Sequence, residues 1–163
     1  MKKITFILFA LIAGTTFAQD SDTGSATVNA EIVSPIEISD GSDLNFGTIN
    51  GTATGGTVSV TTSGVRSFSN SDMAITSATA ITAANFSVTA ASSYLYSISI
   101  PDITLTGSGD DMAVTFIHNR NTVAGRTGSG SAQPLNVGGT LTVGDAQDAG
   151  TYSGTVNVTV AYE

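Results

Sequence analysis

The chain has no cysteine and no tryptophan, one histidine, three prolines and few charges: Asp, Glu, Lys and Arg together make up 11% of its 163 residues. The missing thiols exclude a disulfide scaffold, a thiolate zinc site and a dithiol redox motif. Scarce Lys, Glu, Leu, Gln and Arg argue against a helical bundle. Positive charge is scarcer still. Lys2 and Lys3 are the only lysines, and Arg66, Arg120 and Arg126 the only arginines, against 13 acids. Such a balance repels phosphate and speaks against nucleic-acid binding. What the chain does have is small residues: 25 Thr, 20 Ser, 19 Ala and 18 Gly. Thr, Val, Ile and Gly in this abundance suit short strands and turns. Gly has no three-residue period, so collagen is excluded.

Residues 1–18 read as a secretory signal peptide: Lys2 and Lys3, an apolar run from Ile4 to Ile12, and Thr16-Phe17-Ala18 as a small-x-small cleavage site. The run is too short to span a bilayer, and no later apolar stretch is longer. The expected product is exported, in the periplasm in transit and then at the cell surface or outside it. From Gln19 it carries three arginines against 13 acids, a formal charge of −10. Residues 19–34 form an expected N-terminal extension, and 35–163 a single domain.

Alternation of apolar and polar residues, the mark of a half-buried strand, recurs along the chain. It predicts strands at Ala26–Ile32, Ile36–Ile38, Leu44–Ile49, Thr57–Thr61, Ala84–Ala90, Tyr94–Ile100, Ile103–Leu105, Met112–His118, Leu135–Val143 and Thr151–Glu163. Thr62–Asn70 reads as a loop with Phe68 turned inward, Ala91-Ser92-Ser93 as a hairpin turn, and Gly138-Gly139 as a bulge. Met73–Ile81 is ambiguous and reads as a short strand or an irregular edge. Pro35 suits a sheet edge. Short strands separated by turns predict an all-β sandwich.

No catalytic residue, metal site or cofactor is expected. His118 is the one imidazole, at a strand end, with no second His to share a metal and no G-x-S-x-G nucleophile turn. Asp40 with Asp43, and Asp110 with Asp111, lack the spacing of a calcium loop. Tyr94 and Tyr96 share a face that suits either a sugar platform or cross-strand packing.

The two ends carry more. Gly150, Tyr152, Val156, Val158, Val160 and Tyr162 alternate up to the carboxylate, so the terminal strand presents an edge that invites strand addition. At the other end Gly24, Ala26, Val28, Ala30 and Ile32 alternate behind a polar, acidic lead. Periodicity leaves two readings open: this segment pairs with the terminal strand of its own chain, or with that of another.

The segments DLNFGTI (Asp43–Ile49), NFSVTA (Asn85–Ala90), YLYSISIP (Tyr94–Pro101), LNVGGTLTVG (Leu135–Gly144) and AGTYSGTVNVTVAY (Ala149–Tyr162) resemble, in order and spacing, the domain-of-unknown-function family 4402 of bacterial surface proteins. That family is itself similar to spore coat protein U and the chaperone–usher pilins. The resemblance implies an immunoglobulin-like, pilin-like sandwich lacking its final strand. In such pilins a periplasmic chaperone, and then the N-terminal extension of the next subunit, supplies the missing strand at an outer-membrane usher. Gly150 and Tyr162 match the pilins' Gly about fourteen from the end and their penultimate aromatic. Gly24–Ile32 matches the position of their extension, with Ala26, Val28, Ala30 and Ile32 as the inserting side chains. The chain departs from many pilins in having no disulfide. The implied function is a non-enzymatic subunit of a pilus or fimbria, polymerising head to tail with itself or related subunits by donor-strand exchange. The alternative is a secreted monomeric module for cell adhesion or carbohydrate binding.

Overall fold

The computed structural model describes residues 21–163; the expected signal peptide lies outside them. The chain divides into a unit ending at Glu31 and a unit of Ile32–Glu163. Within the first, residues 21–31 are exposed and carry no strand, and neither does Ile32 at the start of the second. The alternation of Ala26–Ile32 is therefore present without the ladder expected of it, because alternation sets which side chains share a face and a ladder needs a neighbour.

The second unit is all-β, with nine strands: β1 (Glu37–Asp40), β2 (Gly56–Val60), β3 (Arg66–Phe68), β4 (Ala84–Thr89), β5 (Tyr96–Ser99), β6 (Ile103–Leu105), β7 (Met112–His118), β8 (Ala132–Val143) and β9 (Thr159–Tyr162). Two single 3-10 turns, Ser71–Met73 and Ala124–Arg126, interrupt the loops. All pairings between these strands are antiparallel.

β8 organises the large sheet. Val137 pairs with both Ala84 and His118, and Gly139 with both Val60 and Phe116. A residue has only two edges, so β7 lies along one side of β8 while β4 and then β2 share the other. β1 extends the sheet beyond β4, β3 beyond β2, and β6 beyond β7. Pro35 precedes β1, which among the described residues pairs with β4 alone, where a missing N–H disrupts nothing.

The Gly138-Gly139 pair is not the expected bulge. The β7 register runs through it unbroken, Phe116 opposite Gly139 and Ile117 opposite Gly138. The glycines stand where the other edge of β8 passes from β4 to β2. A Cβ on Gly138 would lie 2.3 Å from the Val60 carbonyl oxygen, and one on Gly139 3.0 Å from Leu44. Close approach of chain to chain, not an extra residue, explains the pair.

Ala91-Ser92-Ser93 is likewise not a hairpin. β4 stays in the large sheet while β5 pairs with β9, from Tyr96 opposite Tyr162 to Ser99 opposite Thr159. The turn, with Ser93 at φ +70°, carries the chain from one layer to the other. Thr62–Asn70, expected as loop, contains β3; Phe68 does point inward. Met73–Ile81 is irregular apart from the end of its 3-10 turn.

Two apolar clusters result. In one, the β5–β9 sheet sets Tyr96, Ile98, Val160 and Tyr162 against Ala84 and Val88 of β4 and Leu135 and Val137 of β8, a two-layer sandwich. The other gathers Val58, Val60, Met112, Val114, Leu141 and Val143 with Phe46 and Met73. Here, among the described residues, no second ladder lies over the large sheet. Extended segments do, and a groove runs between them.

Candidate functional site

The groove has a volume of about 1190 Å³. Its floor is Met112, Val114 and Phe116 of β7 with Leu141 and Val143 of β8; residues 40–51 line one side and 147–156 the other. Along β7 the floor spans four residue steps, about 13 Å at ~3.3 Å each.

The first wall contains the expected strand Leu44–Ile49, yet one bridge is all the ladder it has, Asn45 to Thr82. Phe46 drops into the core and Leu44 and Ile49 pack beside it. Gly47, at φ +74°, then breaks the strand geometry, and its N–H is satisfied by Asn45 Oδ1 at 2.7 Å. Beyond it single bonds replace a ladder: Thr48 N–H to Ser77 Oγ at 2.9 Å and Asn50 N–H to the Met73 carbonyl at 3.0 Å. The Phe46 and Thr48 carbonyls accept from the Arg66 guanidinium at 2.9 and 2.7 Å.

The second wall is the front half of the terminal alternation. Thr151–Glu163 was expected as one strand, but only Thr159–Tyr162 forms a ladder. Ser153 bridges to Thr106, and residues 154–158 carry no strand pairing among the described residues. Between the Ser99–Thr159 pair and the Thr106–Ser153 bridge they face residues 100–105, which include β6 and Pro101, a residue with no N–H to give. Tyr152 anchors this wall. Its hydroxyl donates to the Asp148 carbonyl at 2.8 Å and accepts from Gln147 Nε2 at 3.0 Å. A Cβ on Gly107 would strike its ring, and one on Gly109 would strike its hydroxyl and Asp148.

The sequence-marked residues are thereby sorted. Gly150, Tyr152 and Val156 line the groove, whereas Val158, Val160 and Tyr162 pack into the β5–β9 cluster. Gly24, Ala26, Val28, Ala30 and Ile32 are exposed, Val28 at 91% and Ile32 at 96%. Tyr94 and Tyr96 form no sugar platform: Tyr96 is fully buried, and Tyr94 meets the Tyr162 ring edge-on at 6.0 Å between centroids. His118 is half-buried, its Nδ1 accepting from the Arg120 N–H at 3.2 Å. Burial, and then the nearby Arg126 charge, push its pKa below the ordinary value. Among the described residues no three metal-binding side chains cluster, and no helix is long and apolar enough to cross a membrane.

Arg66 was missed by sequence reading. One arginine among many turn residues carries no periodic signal, and its role emerges only when the first wall folds back beside β3.

An all-β sandwich with a groove along part of its large sheet is thus the class of protein that the fold and site define. The chain belongs to the domain-of-unknown-function family DUF4402, whose profile matches residues 36–162. Comparison with curated proteins and with solved structures found no match.

Proposed function

We propose that the chain is a non-enzymatic structural subunit of a bacterial surface filament, assembled by donor-strand complementation. One observation carries this reading: both walls of the groove have the apolar alternation of strands, and neither has a ladder along most of its length. A strand laid between them would complete the second layer over the Val114–Leu141 core. Main-chain hydrogen bonds to the walls would fix its register, and alternate side chains would fill the floor.

The donor is Gly24–Ile32 of the next subunit. It is exposed, and as a strand it would carry Ala26, Val28, Ala30 and Ile32 on one face. Seven residues from Ala26 to Ile32 span about 20 Å at ~3.3 Å per step, enough to cover the floor. Burying Val28, Ala30 and Ile32 removes roughly 200–300 Å² of apolar surface from water, worth about 5–8 kcal/mol before ordering costs. Because the donor lies at one end of a subunit and the groove belongs to the next, the contact is head-to-tail and builds a filament, not a closed dimer. A periplasmic chaperone and an outer-membrane usher are the partners such a route requires in transit.

The test is deletion of Gln19 to Val33, which keeps Ser34 because its carbonyl holds Tyr162. The truncated chain should stay folded and soluble and form no filaments by electron microscopy. Filaments from it would show that this segment is not the donor. A full-length chain that remains monomeric by light scattering at all concentrations would favour a secreted binding module.

A further inference from the structure

Beyond its single bridge from Asn45 to Thr82, the first wall of the groove has no sheet neighbour among the described residues, so its position must be set by something other than a ladder. We propose that Arg66 is the positioning residue that holds Phe46–Ile49 at the setting an incoming strand needs. This rests on the donor-strand reading above.

Three backbone carbonyls converge on the Arg66 guanidinium. Nη1 donates to Phe46 at 2.9 Å and to Thr48 at 2.7 Å, and Nη2 donates to Ile75 at 3.0 Å. The guanidinium carbon sits 4.7 Å over the Phe68 ring, which packs into the core beneath. One side chain from β3 therefore ties together the groove wall, the irregular 74–83 run and, through Phe68, the core cluster. Gly47, between the two accepting carbonyls, is part of the same device. A Cβ there would lie 3.0 Å from Arg66 Nη1 and 2.5 Å from Ser77 Oγ, on a backbone at φ +74° that disfavours any side chain.

The chemistry explains why the residue is arginine. A planar fork with five donors can serve carbonyls in different directions at once, whereas a lysine ammonium is a point charge on a mobile stem. The Phe46 and Thr48 carbonyls have no strand neighbour, and bonds from a charged donor are the strong substitute for one. Held from this side, the wall keeps its apolar residues Leu44, Phe46 and Ile49 over the floor and leaves its other edge to the groove.

The experiment uses the full chain and a fluorescent synthetic peptide of residues 21–33. Affinity is read by anisotropy, and hydrogen exchange is read separately at amides 46–50 and in β4 and β8. Arg66→Lys should weaken peptide binding by about tenfold or more and speed exchange in 46–50, leaving β4 and β8 protected. Gly47→Ala, which crowds Nη1 without removing the charge, should act in the same direction. If wild type binds and Arg66→Lys binds equally well, the role assigned to Arg66 is wrong and the donor-strand reading stands. Exchange that rises in β4 and β8 as much as in the wall would make Arg66 a general stabiliser and overturn the proposal. Failure of wild type to bind the peptide would overturn the donor-strand reading itself, and this role with it.

Discussion

The Tyr162 hydroxyl donates to the Ser34 carbonyl at 2.9 Å, joining residues 128 apart in sequence, and accepts from the Ala91 N–H at 2.7 Å. Tyr162 thus pins the chain at Ser34, near the start of the second unit. Tyr162→Phe keeps the ring in its cluster and strips both bonds, leaving an N–H and a carbonyl without that partner. Stability should fall by about 1–3 kcal/mol, measured by urea denaturation, and exchange at the Ala91 amide should rise with it.

The hydroxyl of Tyr96, directly opposite Tyr162 across the β5–β9 ladder, is the reverse case. It is buried and has no hydrogen-bond partner among the described residues. Tyr96→Phe removes an unsatisfied polar group and little packing, so it should leave stability unchanged or raise it by about 1 kcal/mol. A loss of stability in this variant would show that the hydroxyl has a partner after all.

Gly138→Ala should be among the harsher single changes. Its methyl would meet the Val60 carbonyl at 2.3 Å and the Thr61 backbone at 2.7 Å, both main-chain atoms that cannot swing aside. A loss near 3 kcal/mol, the upper part of the overpacking range, is expected. Gly144→Ala is the control, since its methyl would meet only the flexible end of Gln147. Thermal denaturation of the two variants side by side measures the contrast.

How much of this was open to inspection in the sequence depends on what alternation encodes. β2, β4, β7 and β8 were legible because their inward residues Val58, Val60, Val88, Val114, Leu135 and Leu141 lie on the apolar face of a true ladder. Leu44–Ile49 and Thr155–Val158 have the same pattern without the ladder, since side-chain period reports burial on a face and is silent on neighbours at an edge. The crossover at Ala91–Ser93 was misread for a related reason: a short turn between two strands looks alike whether they pair or separate into different layers. The glycines at 138 and 139 were marked as special, but their cause lies in Val60 and Leu44, far away in sequence.

His118 gives the fold a mild acid sensitivity. Its pKa is depressed by burial and by Arg126, so the folded state prefers the neutral ring. The contribution is complete above the unfolded value near 6.5 and is lost as pH falls from there toward the folded pKa. Protonation would also turn the Nδ1 acceptor away from the Arg120 N–H. Denaturation midpoints should therefore decline as pH drops below about 6.5, and His118→Asn should flatten that part of the curve. An equal decline in both proteins would assign the effect to the carboxylates.

Assembly itself should respond to salt. If the chain is cleaved before Gln19 and assembles as proposed, like subunits carrying three arginines against 13 acids repel one another at long range, and the proposed donor adds Glu31 to the approach. Raising ionic strength from about 0.01 to 0.15 M shortens the screening length from ~30 to ~8 Å, so filament growth followed by light scattering should quicken.

The groove has one more consequence. If its second layer comes from a neighbour, folding is finished by a bimolecular event, and the melting temperature becomes a function of protein concentration. A dilute subunit is then a transient species with an apolar seam, and its lifetime is set by how soon it meets a strand. Dilution alone would act on this protein as a denaturant does on others.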